Sequence, residues 1–395
     1  MGMRRSVLAV RMDDRKPGPD SELSWRNEAA GAVADLGVLV PIAVGLIVLN
    51  GLTATAVLLP AALLYLMVAR TYRLPIAVQP LKAFGAIAIA AGAPVSVIAA
   101  GAVIMGLIFT VLGAIGAIDA VARFIPTSVI RGVQLTVAVL LAKVAVSLVF
   151  ATPRNFVQQW PTAISAAVTA VLLLGLWLLR GRLALIVVVV AVGGMTISAL
   201  RTGGLPTLGP TALLWPHFSV ADFTTAVTLL VIPQLPLTFA NSCLAPADAA
   251  RAYFGAQAAR VTPGRLAMTL GAANVFAGAI SGMPVCHGAG GLSAHYAFGA
   301  RSWRAPAIIG GSLLIIGLCF GRWTAAVLPL FPVSVLAALL VIAAITHALL
   351  LRDLHDLPDW LVAATVTAFG VFSNLAYGVL AGLLLSAWLR RLRRS

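Results

Sequence analysis

Apolar residues in this chain come in long runs parted by short polar breaks, from residue 28 to residue 389. Fourteen segments are read, at 28–49, 52–69, 76–91, 94–118, 126–150, 162–179, 183–200, 222–243, 263–280, 284–299, 305–320, 324–350, 358–372 and 375–389. A run of roughly 20 residues spans the hydrocarbon core of a bilayer as a helix. None shows the ten-residue alternation of a barrel strand, so every span is predicted to be helical. The breaks hold turn formers such as Asn50-Gly51, Gly92-Ala93-Pro94 and Ser281-Gly282. The longest, 201–221, carries Pro206, Pro210 and Pro216 and divides the segments into two sets of seven. The pattern predicts an all-α polytopic membrane protein.

Charge placement tests that count. With the N-terminus cytoplasmic and the spans alternating, 22 of the 27 Lys and Arg residues fall inside and only Arg154, Arg201 and Arg322 outside. Lys82 and Lys143 lie within spans. A wrong span count scrambles such an asymmetry, so both termini are expected in the cytoplasm. The net charge of +15 is therefore a topology signal, and no nucleic-acid partner is expected. Composition agrees: 61% of residues are hydrophobic and 10% charged, with mean hydropathy +1.02. A soluble domain carries roughly 45–50% apolar and about 25% charged residues, so a soluble enzyme, a disordered chain and a secreted disulfide scaffold are excluded. Cys243, Cys286 and Cys319 are odd in number and lie in apolar stretches, which argues against a disulfide framework. Residues 1–24 are basic without an apolar core and read as a cytoplasmic tail, not a cleaved signal peptide. The compact, Arg- and Ala-rich chain points to a bacterial inner membrane.

Two segments differ from the rest. The third opens Leu74-Pro75-Ile76-Ala77-Val78-Gln79-Pro80-Leu81-Lys82, and the tenth Gly282-Met283-Pro284-Val285-Cys286-His287-Gly288-Ala289-Gly290-Gly291. Each is short, begins with proline and a few extended-type residues, and places polar or glycine residues where a helix would start. Each is third in its set. Sets of seven enter the membrane in opposite orientations, which is the inverted-repeat pattern in which paired broken helices mark a binding site near the midplane. A half-helix that starts inside the membrane has first-turn N–H groups without intrahelical partners, and these are costly unless they face a cavity or ligand. Their positive end attracts anions. Pro80 suits a first helical turn. The cluster Gly288, Gly290 and Gly291 lets backbone approach a ligand closely, or else serves tight helix packing.

Ionisable and amide groups sharpen this reading. Lys82, on the first turn of half-helix three, can attract an anion, neutralise Asp35 or snorkel to the boundary. Asp35 can carry a proton, pair with Lys82 or serve helix packing. A buried charge requires one of these roles. In segment eight, Gln234 and Asn241 lie among Pro233 and Pro236 and can bond freed carbonyls or a substrate. His287 can donate to an oxyanion, titrate or be structural. His295 reads as a packing or exit-lining residue, and His217, His347 and His355 as interface residues. No phosphate-binding loop, metal-ligand spacing, serine nucleophile elbow or paired carboxylates occur, so neither enzyme, metal nor cofactor is expected.

Asp35-Leu36-Gly37, residues 75–82 (PIAVQPLK), 233–241 (PQLPLTFAN), 283–291 (MPVCHGAGG) and Phe298-Gly299-Ala300-Arg301 together resemble the molybdate transporter family related to the SulP sulfate permeases. The resemblance is carried by segments one to three and eight to ten. It implies the seven-plus-seven inverted-repeat fold shared with uracil and xanthine permeases. It implies a core domain of residues 25–120 and 222–321, a gate domain of 121–200 and 322–395, and an inter-repeat loop at 201–221. It also implies substrate held between the starts of helices three and ten, elevator motion of core against gate, and a homodimer in the lipid bilayer. The chain ends shortly after segment fourteen, as expected of the molybdate branch, which lacks the appended cytoplasmic STAS domain.

The expected activity is secondary active import of a tetrahedral oxyanion, molybdate on the resemblance, with tungstate and sulfate as chemical alternatives. Expected substrate contacts are Gln79, Pro80, Leu81, Lys82, Gln234, Asn241, Cys286, His287, Gly288, Ala289 and Gly290. Asp35 and His287 are the candidates for coupling to a proton. A nucleobase permease of the same fold is disfavoured, because no acid occurs between Asp222 and Asp248 or in segments nine to eleven to bind ring N–H groups. A channel-like uniporter is the other competing class.

Overall fold

The computed structural model describes residues 25–33, 36–157, 159–178, 191–197, 200 and 207–392. Asp35, most of segment seven and both termini lie outside the described residues. The elements in order are α1 (Trp25–Val33), α2 (Leu36–Val48), α3 (Ala54–Thr71), β1 (Ala77–Pro80), α4 (Lys82–Ala90), α5 (Val95–Ala114), α6 (Ile118–Ala122), α7 (Thr127–Phe150) and α8 (Thr162–Leu178). After the inter-repeat loop follow α9, a continuous helical stretch over Val220–Arg260, then α10 (Pro263–Ala279), β2 (Val285–Gly288) and α11 (Ala289–Ala297). The chain continues with α12 (Arg304–Cys319), α13 (Gly321–Val327), α14 (Val333–Leu349), α15 (Leu357–Phe372) and α16 (Leu375–Leu392).

Among the described residues, six helical stretches are long and apolar enough to cross a membrane. The pair Arg304–Cys319 and Gly321–Leu330, bent by 84°, makes a seventh if taken as one span. With the shorter apolar helices and the two half-helices, this is consistent with the fourteen-segment plan. Large apolar side chains such as Leu107, Val111, Ile115, Val171 and Leu384 face outward. An outer surface of that kind belongs in lipid.

Proline and polar caps set the helix starts. Pro94, Pro126 and Pro332 hold extended dihedrals just ahead of α5, α7 and α14. A capping box, Ser219 with Asp222, opens α9, and the Thr262 hydroxyl caps α10 ahead of Pro263. One element differs from the sequence reading. Segment twelve divides: a short helix and a 3₁₀ turn run to Leu330, and the long helix starts only at Val333, because Pro332 interrupts the backbone ladder. Segment eight, read as one span, runs unbroken through its prolines. Wider π turns at Val227–Val231 and Thr238–Leu244 absorb the mismatch and keep α9 continuous.

Two helix pairs join the first half of the chain to the second. α3 lies along α12, and α10 lies along α5. The second pair meets through glycines: a Cβ at Gly106 would sit 2.4 Å from the Val275 nitrogen, and one at Gly271 2.5 Å from the Thr110 nitrogen. Backbones that close need glycine, as in other membrane helix pairs. α7 packs against α14, α15 and α4. The described part of the inter-repeat loop is pinned to both halves, with Thr211 and Thr55 exchanging backbone-to-hydroxyl bonds of 2.8 and 2.9 Å and the Gly209 N–H donating to the Cys319 carbonyl at 2.7 Å.

Candidate functional site

The two broken segments meet. β1 and β2 pair antiparallel, Val78 opposite His287 and Gln79 opposite Cys286. The Leu81 N–H adds a bond to the Pro284 carbonyl at 3.1 Å. Each strand runs directly into its half-helix, so α4 and α11 leave opposite ends of one buried ribbon with their N-terminal ends turned toward it. Partners across the ladder share a face, and alternate residues along a strand do too. Gln79, Cys286 and Gly288 therefore lie on one face, and Val78 and His287 on the other.

Asn274 of α10 fixes the ribbon's edge. Its carboxamide accepts from the Val285 N–H at 2.7 Å and donates to the Val285 carbonyl at 2.7 Å, with a third bond to the Leu270 carbonyl at 2.9 Å. Fully buried, it does for β2 what a third strand would do. On the other face the Gln79 side chain lies against Gly288. A Cβ there would sit 2.2 Å from Gln79 Oε1.

The start of α4 is held from the second half of the chain. Gln234 Oε1 accepts from the Phe84 N–H at 2.9 Å, and its Nε2 donates to the Thr238 hydroxyl at 3.0 Å. Gln234 is thus committed to capping the half-helix. Lys82, half-buried two residues before Phe84, lines a small cavity of about 40 Å³ together with residues of α2, α7 and α14. At the second half-helix Gly288 is the N-cap, Ala289 is half-buried and Gly290 exposed, and a Cβ at Gly290 would meet nothing within 4 Å.

The remaining expected site residues fall as follows. Pro80 and Leu81 are buried in the ribbon end, and Cys286 Sγ approaches the Pro80 carbonyl at 3.5 Å. His287 is fully buried, its Nε2 2.8 Å from the Thr269 hydroxyl, which lies 2.9 Å from the Tyr72 hydroxyl. It therefore faces α3 and α10 and not the Gln79 side of the ribbon. Asn241 is half-buried in the second π turn. His295 packs on Tyr65, with its Nδ1 2.9 Å from the Pro75 carbonyl.

Sequence reasoning missed three polar groups. Asn274 lay in segment nine, where no residue was singled out. Glu28 is 1% exposed and accepts from the Arg301 N–H at 3.1 Å and the Ala305 N–H at 3.2 Å, tying α1 to the start of α12. His347 lines the Lys82 cavity. Of these, Glu28 had a usable signal, an acid in the first turn of an apolar segment.

Opposed half-helices joined by a buried ribbon, inside a bundle of apolar helices, define a membrane transporter fold. Its fold is that of SLC26-type anion transporters. It superposes with a TM-score of 0.68 on murine Slc26a9, an anion transporter captured in the inward-facing state, covering 93% of this chain and 68% of that one at 17% identity. The transmembrane domain of a cyanobacterium bicarbonate transporter, BicA, gives 0.64 over 91% and 96% of the two chains at 16% identity. The chain belongs to the molybdate transporter family. The family model described as "Molybdate transporter of MFS superfamily" matches residues 27–141 and 226–346, which hold both half-helices. "Molybdate transporter 1" of Arabidopsis thaliana is 29% identical over 95% of this chain and 91% of its own length, and "Molybdate transporter 1" of Chlamydomonas reinhardtii 28% identical over 92% and 91%.

Proposed function

We propose that this protein carries molybdate inward across a bacterial inner membrane, with both termini cytoplasmic, as a proton-coupled homodimeric carrier. The observation that carries the reading is the β1–β2 ribbon, which turns the N-terminal ends of α4 and α11 toward one buried centre with Lys82 beside it. Family membership supports molybdate as the anion. A tetrahedral dianion offers four oxygens and needs several donors. First-turn N–H groups supply donors at both half-helices, the Phe84 N–H excepted because Gln234 takes it, while Lys82 supplies charge and Gln79 an amide on the Gly288 face.

The division into a core (25–120 and 222–321) and a gate (121–200 and 322–395) gives the motion its parts. The core carries the ribbon and its anion past α7 and α14 in an elevator movement. A dianion moving inward against an inside-negative potential costs about 4.6 kcal/mol per 100 mV, so accumulation needs co-transported cations. Protons are the simplest choice, with Asp35 and His287 as carriers.

The test is molybdate binding to the purified protein, with sulfate, tungstate and uracil as competitors. The expected result is tight molybdate binding, displaced by tungstate, weakly by sulfate and not by uracil. Equal affinity for sulfate makes the protein a general oxyanion carrier. Uracil binding without oxyanion binding removes the reading altogether.

A further inference from the structure

The cavity beside Lys82 is bounded on one side by α14. Pro41 and Ile42 of α2 form one wall, Leu141 of α7 another, and Thr346 and His347 of α14 a third. Its lining is apolar apart from Lys82, Thr346 and His347, and no carboxylate occurs among the described lining residues. The Thr346 hydroxyl already donates to the Ala343 carbonyl at 2.8 Å. His347 is different. It is only 8% exposed, and its Nδ1 has no hydrogen-bond partner among the described residues. Buried ring nitrogens are ordinarily bonded, so a histidine that lines a cavity with a lysine and keeps an unpartnered ring nitrogen asks for a ligand. The ligand is an acceptor, because an ammonium and an imidazole face it and no acidic group does among the described lining residues.

We propose that His347 is a substrate-contacting residue, donating to the bound oxyanion from the gate side while Lys82 holds it from the core side. This rests on the transport reading above and adds to it a second half of the site, built on α14. It also gives the motion a consequence. Lys82 travels with the half-helix and His347 does not, so the anion exchanges this contact when the core moves. Affinity then differs between the two faces of the cycle, which a site built wholly on the core does not require.

The experiment pairs binding with chemical protection. Molybdate affinity is measured for the wild type, His347→Gln, which keeps an amide donor, and His347→Leu, which keeps none. His347→Leu is expected to weaken molybdate binding at least about tenfold, the worth of one hydrogen bond to a charged group, while His347→Gln stays nearer the wild type. In a Cys319→Ser background, the thiol introduced by His347→Cys is expected to react with a small anionic thiol reagent, and molybdate to slow that reaction while uracil does not. The second measurement reads contact directly, so it stands even if His347→Leu fails to fold. Wild-type affinity in His347→Leu, or a thiol that molybdate does not protect or the reagent does not reach, overturns the assignment to His347 alone. Absence of oxyanion binding by the wild type removes the transport reading beneath it.

Discussion

Single atoms decide the space between the ribbon and its ligand side. Gly288 has no room for a methyl group, since Gln79 Oε1 would lie 2.2 Å from it. Gly288→Ala must push the Gln79 side chain away, which costs about 1–3 kcal/mol of stability by overpacking. It is expected to lower the detergent-solubilised melting temperature and to weaken molybdate binding. Gly290→Ala meets nothing within 4 Å and is expected to melt like the wild type. Equal melting of the two variants would remove the steric account of Gly288. Residues of this kind were legible in the sequence because they break a local rule: a lysine, a glutamine and clustered glycines inside apolar runs. Gln234 was legible as a polar residue in a span but not as a helix cap, because its partner Phe84 lies 150 residues away. His347 was read as an interface residue for the same reason, since nothing local to α14 reveals that Lys82 shares its cavity.

At the scale of elements, the two half-helices were readable from proline, extended-type residues and a polar helix start. Their pairing followed only from placing them third in two opposed sets. The prolines of segment eight sit inside a continuous helix, because π turns accommodate the missing donors without ending it. What keeps β2 extended was invisible, since Asn274 reaches it from another segment. Asn274→Leu deletes three bonds and leaves the Val285 N–H and carbonyl buried without that partner. Buried groups stripped of a partner cost about 1–3 kcal/mol each. This variant is expected to destabilise the fold more than Gly288→Ala and to abolish molybdate uptake into vesicles. Asn274→Asp, which keeps the acceptor for Val285, is expected to fall between Asn274→Leu and the wild type in melting temperature. A wild-type melting temperature in Asn274→Leu would show that the ribbon does not depend on this clamp.

For the whole molecule, the net charge of what crosses is the quantity that chemistry and energetics share. A dianion moving alone is driven outward by an inside-negative potential, at about 4.6 kcal/mol per 100 mV, or more than a thousandfold in equilibrium concentration ratio. Two protons moving with it cancel that dependence, and three reverse it. Uptake into proteoliposomes with clamped potentials separates these cases. With an inward proton gradient at zero potential, molybdate is expected to accumulate. With no proton gradient, it is expected only to equilibrate. Imposing an inside-negative potential on the first condition then gives the stoichiometry: uptake falls for one proton, holds for two and rises for three. Indifference to the proton gradient at every potential would leave the anion to move by uniport or against another ion, and would remove both Asp35 and His287 from the mechanism while leaving the ribbon and Lys82 in place as the anion site.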